Sequence, residues 1–306
     1  MKEMNSNQLS RRRFITTTAI ATAAFAVTPF TDLFAMGKKP DSNFEGVQIG
    51  AITYSWRSMP STASDILKYC VEAGISSIEL MGDVAEAFAG LPKKREEQKA
   101  WRLSVSMEKY KELKKMFKKA GVKIPIVKFA PTRWSDEEID YAFKAAKTLG
   151  AKGITEEIGE ESCKRLGKFA EKHGMFAIFH NHMQPGDPNF SFEKFLAYSP
   201  ANMLNFDAGH YFGATGKHPN EIVEKLHDRI FSIHLKDKTG KSSTPPNTNM
   251  VWGKGDTPIA DILKLLQKNK WPIYCDIELE YPVPAGSDAQ KEVIKCVEFC
   301  KNILIA

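Results

Sequence analysis

The chain has 306 residues, 42% of them hydrophobic, which is enough for one large core. No run of about 18 uninterrupted apolar residues occurs, and this excludes an ordinary multi-pass membrane protein. The formal net charge of +6 is concentrated at the start: residues 1–39 carry six Lys/Arg and two Asp/Glu, leaving 37 basic and 35 acidic side chains in the remainder. A body so close to neutral gives no argument for a nucleic-acid partner.

Ser10, Arg11, Arg12, Arg13, Phe14 and Ile15 form a twin-arginine phrase, followed by the small, weakly apolar stretch TTTAIATAAFAV. Charged, apolar and small-residue parts in that order predict a Tat signal over residues 1–39, cleaved near Ala35. The expected address is periplasmic or extracytoplasmic, with no stable membrane insertion after removal. Five cysteines, an odd number without paired-ligand spacing, do not read as a disulfide framework.

From residue 46 a phrase recurs: an amphipathic helix, a Gly that stops it, then a strand. Gly74, Gly121, Gly150 and Gly174 stand where a helix needs a left-handed closing residue. Ser135 with Glu138, and Ser287 with Gln290, fit capping boxes, and Thr257-Pro258 places Pro at a helix start. Eight strands are predicted, over residues 47–54, 75–81, 122–129, 151–157, 175–182, 202–210, 230–237 and 272–280. Eight alternating strands and helices over residues 40–306 predict a single (β/α)8 TIM barrel. Two long connections, residues 82–104 and 238–256, follow strands 2 and 7. Both therefore belong to the face where barrel active sites are built, as lids or tolerated insertions.

The last four strands each end in His, Asp or Glu. Glu157, Asp207, His234 and Glu278, from strands 4, 6, 7 and 8, are predicted to converge at the mouth around one divalent ion such as Mn, Mg, Co or Zn. His180 and His182 share one face of strand 5 and are expected to be ligands, substrate contacts or proton shuttles. His210 and Lys236 are expected to touch substrate, and Lys128, ending strand 3, to act as an acid or hold an oxyanion. Glu79 on strand 2 is read as a contact for sugar hydroxyls, Tyr54 as a stacking surface, and Trp252, in VWGKGD, as part of the substrate wall.

At these residues the chain resembles the xylose isomerase-like barrel family of sugar phosphate isomerases/epimerases. FHNH, FDAGH, IHLKD and P-I-x-x-x-I-E match that family's strand 5 to 8 endings, and VWGKGD its Gly-rich loop after strand 7. The resemblance implies a divalent metal on Glu157, Asp207, His234 and Glu278, with keto-sugars, inososes or related polyols as substrates. Ketose 3-epimerase members carry a Glu at the end of strand 5, where this chain has His180. That departure looks more like the inosose dehydratase-type branch.

The expected chemistry is proton abstraction next to a carbonyl by Glu157, Glu278, His180 or His182. An isomerase or epimerase is the first reading, and a lyase, dehydratase or hydratase acting on 3-keto-sugars or glycosides from the same enediolate is the second. Further alternatives are an endonuclease-type metal phosphodiesterase and a non-catalytic periplasmic sugar-binding barrel. The partner expected is a small carbohydrate, with a homo-oligomer as an open possibility.

Overall fold

A computed structural model of the protein describes residues 39–306. The expected twin-arginine phrase and cleavage site lie outside the described residues. Eight parallel strands close into a barrel: β1 (Val47–Ile52), β2 (Ser77–Met81), β3 (Lys123–Lys128), β4 (Gly153–Glu157), β5 (Phe176–His180), β6 (Asn202–Asp207), β7 (Ile230–Leu235) and β8 (Tyr274–Ile277). Each pairs with its sequence neighbours, and β8 closes on β1 with Asp276 opposite Gly50. A two-residue strand, Asn43–Phe44, adds antiparallel to β1. The fold is the (β/α)8 barrel expected.

The principal helices are α1 (Ala63–Glu72), α2 (Gly82–Ala89), α3 (Arg95–Ser104), α4 (Glu108–Ala120), α5 (Asp136–Leu149), α6 (Glu160–His173), α7 (Phe192–Leu196), α8 (Ala208–Thr215), α9 (Asn220–Leu226), α10 (Ile259–Asn269) and α11 (Ala289–Ile305). Left-handed glycines close α4, α5 and α6 at Gly121, Gly150 and Gly174, as the sequence predicts. The Ser135–Glu138 capping box opens α5. At α11 the expected start shifts by one residue: Asp288, not Ser287, accepts the Lys291 amide. Pro258 precedes α10 rather than standing inside it.

Fully buried Ile49, Ile78, Ile126, Ile154, Ile178, Leu204 and Ile233 come from seven different strands. Each such burial stabilises by about 1.5–3 kcal/mol before entropy is counted. Pro125, an awkward residue for a central strand, is accommodated by a bulge: two steps along β2 from Ser77 to Glu79 match three along β3 from Lys123 to Ile126.

The strands stop short of several predicted ends, and the reason places the site. β6 ends at Asp207, whose carboxylate accepts the His210 amide at 2.7 Å, so AGH opens α8 rather than extending the strand. Residues 82–104, expected as a long connection, fold into α2 and α3. Residues 238–256 form a loop in which Asn249–Met250 pairs antiparallel with Asp237–Lys238, and it is pinned by Asp237, which accepts amides from Gly253, Gly255 and Thr257 at 2.8, 2.9 and 3.2 Å. A Cβ on Gly255 would lie 2.3 Å from Asp237 Oδ1, so the second Gly of VWGKGD is needed for this approach.

Candidate metal centre and active site

Parallel registration brings the strand endings together. Glu157 stands beside His180, and Asp207 beside His234, which in turn neighbours Asp276. Side chains of registered residues in adjacent strands share a face, so these groups gather at the C-terminal mouth. Donor atoms of His180, Asp207, His234 and Glu278 all lie within 4.8 Å of one another, and all four residues are buried.

His234 is held from both sides. Its Nδ1 lies 2.9 Å from Glu278 Oε2 and its Nε2 lies 2.6 Å from Glu79 Oε2. Glu79 is itself fixed by Thr155 Oγ1 at 2.6 Å and Asn205 Nδ2 at 2.8 Å. Burial opposes charge on His234, yet Glu278 and Glu79 hold its imidazolium well above the ordinary range. Against the burial that would raise it, Glu79 is kept below the usual carboxylate range by His234 and Lys128.

Lys236 sets the charge balance. Its Nζ donates to Glu280 Oε2 at 2.6 Å and makes ion pairs with Glu278 Oε2 at 2.7 Å and Asp207 Oδ2 at 2.9 Å. Burial favours its neutral form, but those three carboxylates hold it protonated, above the normal lysine value. Asp207 is pushed up, first by burial, while Lys236 acts the other way.

Two flanks surround this centre. On one, Glu157 Oε1 pairs with Lys128 Nζ at 2.7 Å, and Glu157 Oε2 lies 3.7 Å from His182 Nε2. Burial alone would depress Lys128, but Glu157 and Glu79 hold it above its ordinary value. On the other flank, His210 Nε2 lies 3.6 Å from Glu280 Oε2. Burial, then the Lys236 and Lys238 ammoniums, push His210 down to about 3. Burial likewise drives His180 well below its normal value, so both imidazoles are neutral near pH 7.

The model of the xylose isomerase-like TIM barrel family matches residues 67–301, most of this chain. The chain belongs to that family. An inosose dehydratase from Clostridium botulinum (strain Alaska E43 / Type E3) is 30% identical over 154 residues, 45% of this chain and 51% of that protein. One from Clostridium perfringens (strain 13 / Type A) is 27% identical over 158 residues, 46% and 52%. The chain thus spans about half the length of the curated relatives it matches. The probable 3-DHS dehydratase AsbF from Bacillus anthracis superposes with a TM-score of 0.61 at 15% identity, covering 82% of this chain and 98% of its own. The 3-keto-D-glucoside 4-epimerase YcjR from E. coli gives 0.58 at 13% identity, covering 84% and 99%. At these identities the two structures establish the fold alone.

A divalent ion of the kind this family often binds fits the residues present. The His180, Asp207, His234 and Glu278 set offers two nitrogens and two oxygens, a donor mix suited to Zn, Co or Mn. Among the described residues neither ring nitrogen of buried His180 has a hydrogen-bond partner, and Asp207 Oδ2 has none either, its charged neighbours being Lys236 Nζ at 2.9 Å and His180 Nε2 at 3.8 Å. Buried polar atoms left in this way are what a ligand set presents when its ion is not counted. Beneath it, Glu79 on His234 Nε2 is the carboxylate–histidine arrangement that orients a ligand.

Three of the four expected ligands, Asp207, His234 and Glu278, are thus brought together. Glu157 stands outside that group, in a second cluster with His180 and His182, because its carboxylate turns to Lys128. Strand phase is as the sequence suggests: Thr155 points inward to Glu79, and Glu156 faces out to accept from Thr132.

Glu79, expected to meet sugar hydroxyls, is corrected to a supporting role, since it is fully buried beneath His234, two residues before the end of its strand. Trp252, expected on the substrate wall, is buried edge-on against Phe299 of α11. Tyr54 remains 40% exposed after β1, with the Arg57 guanidinium 4.6 Å from its ring centre. Asn181, Asn205 and Asp276 escaped the sequence reading. Asn181 bridges to the Asp207 backbone in both directions, at 3.0 and 3.2 Å, and fixes that strand end. Of the three, only Asn181 carried a signal, lying between two histidines.

Proposed function

We propose that this protein is a lyase that removes water from a keto-polyol or keto-sugar of the inosose type, by proton abstraction beside the carbonyl. The observation that carries the reading is the pairing on Glu157: one carboxylate holds the Lys128 ammonium at 2.7 Å and stands 3.7 Å from the His182 imidazole. A proton acceptor and a proton donor of different chemical type, side by side at one mouth, suit an elimination. Epimerisation calls for two equivalent bases on opposite faces, and strand 5 supplies His180 rather than a carboxylate. The inosose dehydratase relatives support the same choice.

His180, Asp207, His234 and Glu278 would hold a divalent ion, which when bound supplies Lewis-acid polarisation of the substrate carbonyl. His182, oriented by Glu157, takes the proton from the carbon next to the carbonyl. Lys128 gives a proton to the hydroxyl leaving from the adjacent carbon, so that water departs and a carbon–carbon double bond forms. His210 and Glu280 on the facing flank bind hydroxyls and orient the ring. The segment over residues 1–39 is proposed to direct export by the Tat route, with residues 40–306 as the exported barrel.

The test is incubation of the metal-supplemented enzyme with inososes and keto-sugars in D2O, followed by mass spectrometry. Loss of one water, abolished by His182→Ala, is the expected result. Deuterium exchanged into recovered substrate with no water loss would return the protein to the isomerase or epimerase reading.

A further inference from the structure

A cavity of about 390 Å³ opens beyond the centre, lined by Arg57, Ser58, Leu279, Glu280, Tyr281 and Val283 among others. Its volume falls in the range of about 300–1,000 Å³ typical of small-ligand sites. Glu280 belongs to both spaces. It lines the cavity, while its Oε2 receives Lys236 at 2.6 Å and faces His210 at 3.6 Å. A ring held over the Asp207, His234 and Glu278 centre would therefore have free space directly past Glu280.

The walls are built for an amphipathic, uncharged ring. Pro282 and Val283 give apolar surface, with buried Leu279 and Tyr281 behind them. Arg57 and Glu280 provide a fixed donor and a fixed acceptor. Arg57 is immobilised on the carbonyls of Tyr54, Leu279 and Glu280 and lies over the Tyr54 ring. Tyr281 is immobilised too, its hydroxyl donating to Glu292 at 2.9 Å. Ser55, at the floor, donates to the Ile277 carbonyl at 2.9 Å and accepts the Leu279 amide at 3.0 Å, tying β1 to the segment after β8. A preformed cleft with a single guanidinium, a single carboxylate and apolar walls matches a pyranose, whose C–H faces are apolar and whose rim is hydroxyl.

We infer that this cavity is a second-ring subsite, so that the preferred substrate is a keto-sugar carrying a further sugar or comparable ring rather than a free monosaccharide. The inference rests on the keto-sugar reading above but concerns binding, and binding is measured without turnover. Calorimetry on the full chain carrying His182→Ala, which blocks turnover, with Mn2+ supplied, compares a 3-keto-disaccharide with its 3-keto-monosaccharide. The disaccharide is expected to bind at least about tenfold more tightly, a difference of about 1.4 kcal/mol. In Val283→Trp, which fills the cavity, and in Arg57→Ala, the ratio is expected to fall to near one, with thermal unfolding confirming that each variant is folded.

Equal affinities with the cavity intact, no binding of either sugar, or a ratio that survives Val283→Trp would each overturn the subsite. Tight disaccharide binding without water loss would leave the subsite standing and remove the proposed reaction. Water loss from both sugars at equal affinity would do the reverse.

Discussion

Replacing Lys236 with Met should separate the charge balance of the centre from its packing. The ammonium lies 2.6–2.9 Å from oxygens of Glu280, Glu278 and Asp207 and is almost wholly buried. Met retains most of the apolar stem but leaves Asp207 and Glu278 as buried negative charges. Removing one partner of a buried ion pair costs about 3–5 kcal/mol. For a barrel of this size, about 2–4 °C per kcal/mol converts that to a fall of roughly 6–20 °C in the unfolding midpoint. The assay is thermal unfolding followed by circular dichroism, after exhaustive chelation and again with added Zn2+ or Mn2+. Because a cation restores the missing positive charge, the metal should raise the midpoint of Lys236→Met more than that of the wild type. A chelated variant within about 2 °C of the chelated wild type, with an unchanged metal response, would refute the reasoning.

Glu79→Gln keeps the shape of the support under His234 but removes its charge, and metal titration by calorimetry should show affinity reduced about 10–100-fold. Gly50→Ala should destabilise by about 1–3 kcal/mol in urea unfolding, because a Cβ there would lie 2.1 Å from Asp276 Oδ1 and 2.9 Å from the Ser77 carbonyl. Adding Asp276→Ala should recover part of that loss, since it removes the nearer atom. Asp276 also gives a pH test. Burial, with Glu79, pushes its carboxyl up to about 7, so the wild type loses stability as pH rises from the unfolded-state value near 4 toward 7. Metal-free Asp276→Asn should therefore be more stable than wild type at pH 8, by at least about 1 kcal/mol, with the gain shrinking at pH 5; equal differences at both pH values would contradict the assignment.

The barrel was legible because strands and helices alternate eight times, because the last four strands each end where apolar residues give way to His, Asp or Glu, and because Gly121, Gly150 and Gly174 close helices by a local backbone rule. Asp207, His234 and Glu278 were legible for the same reason: each is an inward residue within one position of its strand's end. What escaped was set by contacts distant in sequence. Helix α3 buries none of its residues, so core packing does not hold it. It is fastened by Arg102, which reaches Glu86 at 2.7 Å and Glu138 at 3.2 Å with the Trp134 ring at 3.7 Å. Glu79 looked like a mouth residue because depth along a strand depends on how far its neighbours extend. The place of Glu157 outside the tightest ligand group depends on Lys128, 29 residues away, which no local pattern reveals.

The central claim is that strand endings far apart in sequence hold one cation. Anomalous diffraction from crystals grown with Mn2+ or Zn2+ tests it most directly. A single strong peak is expected in contact with Asp207, His234 and Glu278, with His180 beside it. An ion bound elsewhere, or no peak there at saturating metal while Lys236 stays locked between Asp207 and Glu278, would contradict it.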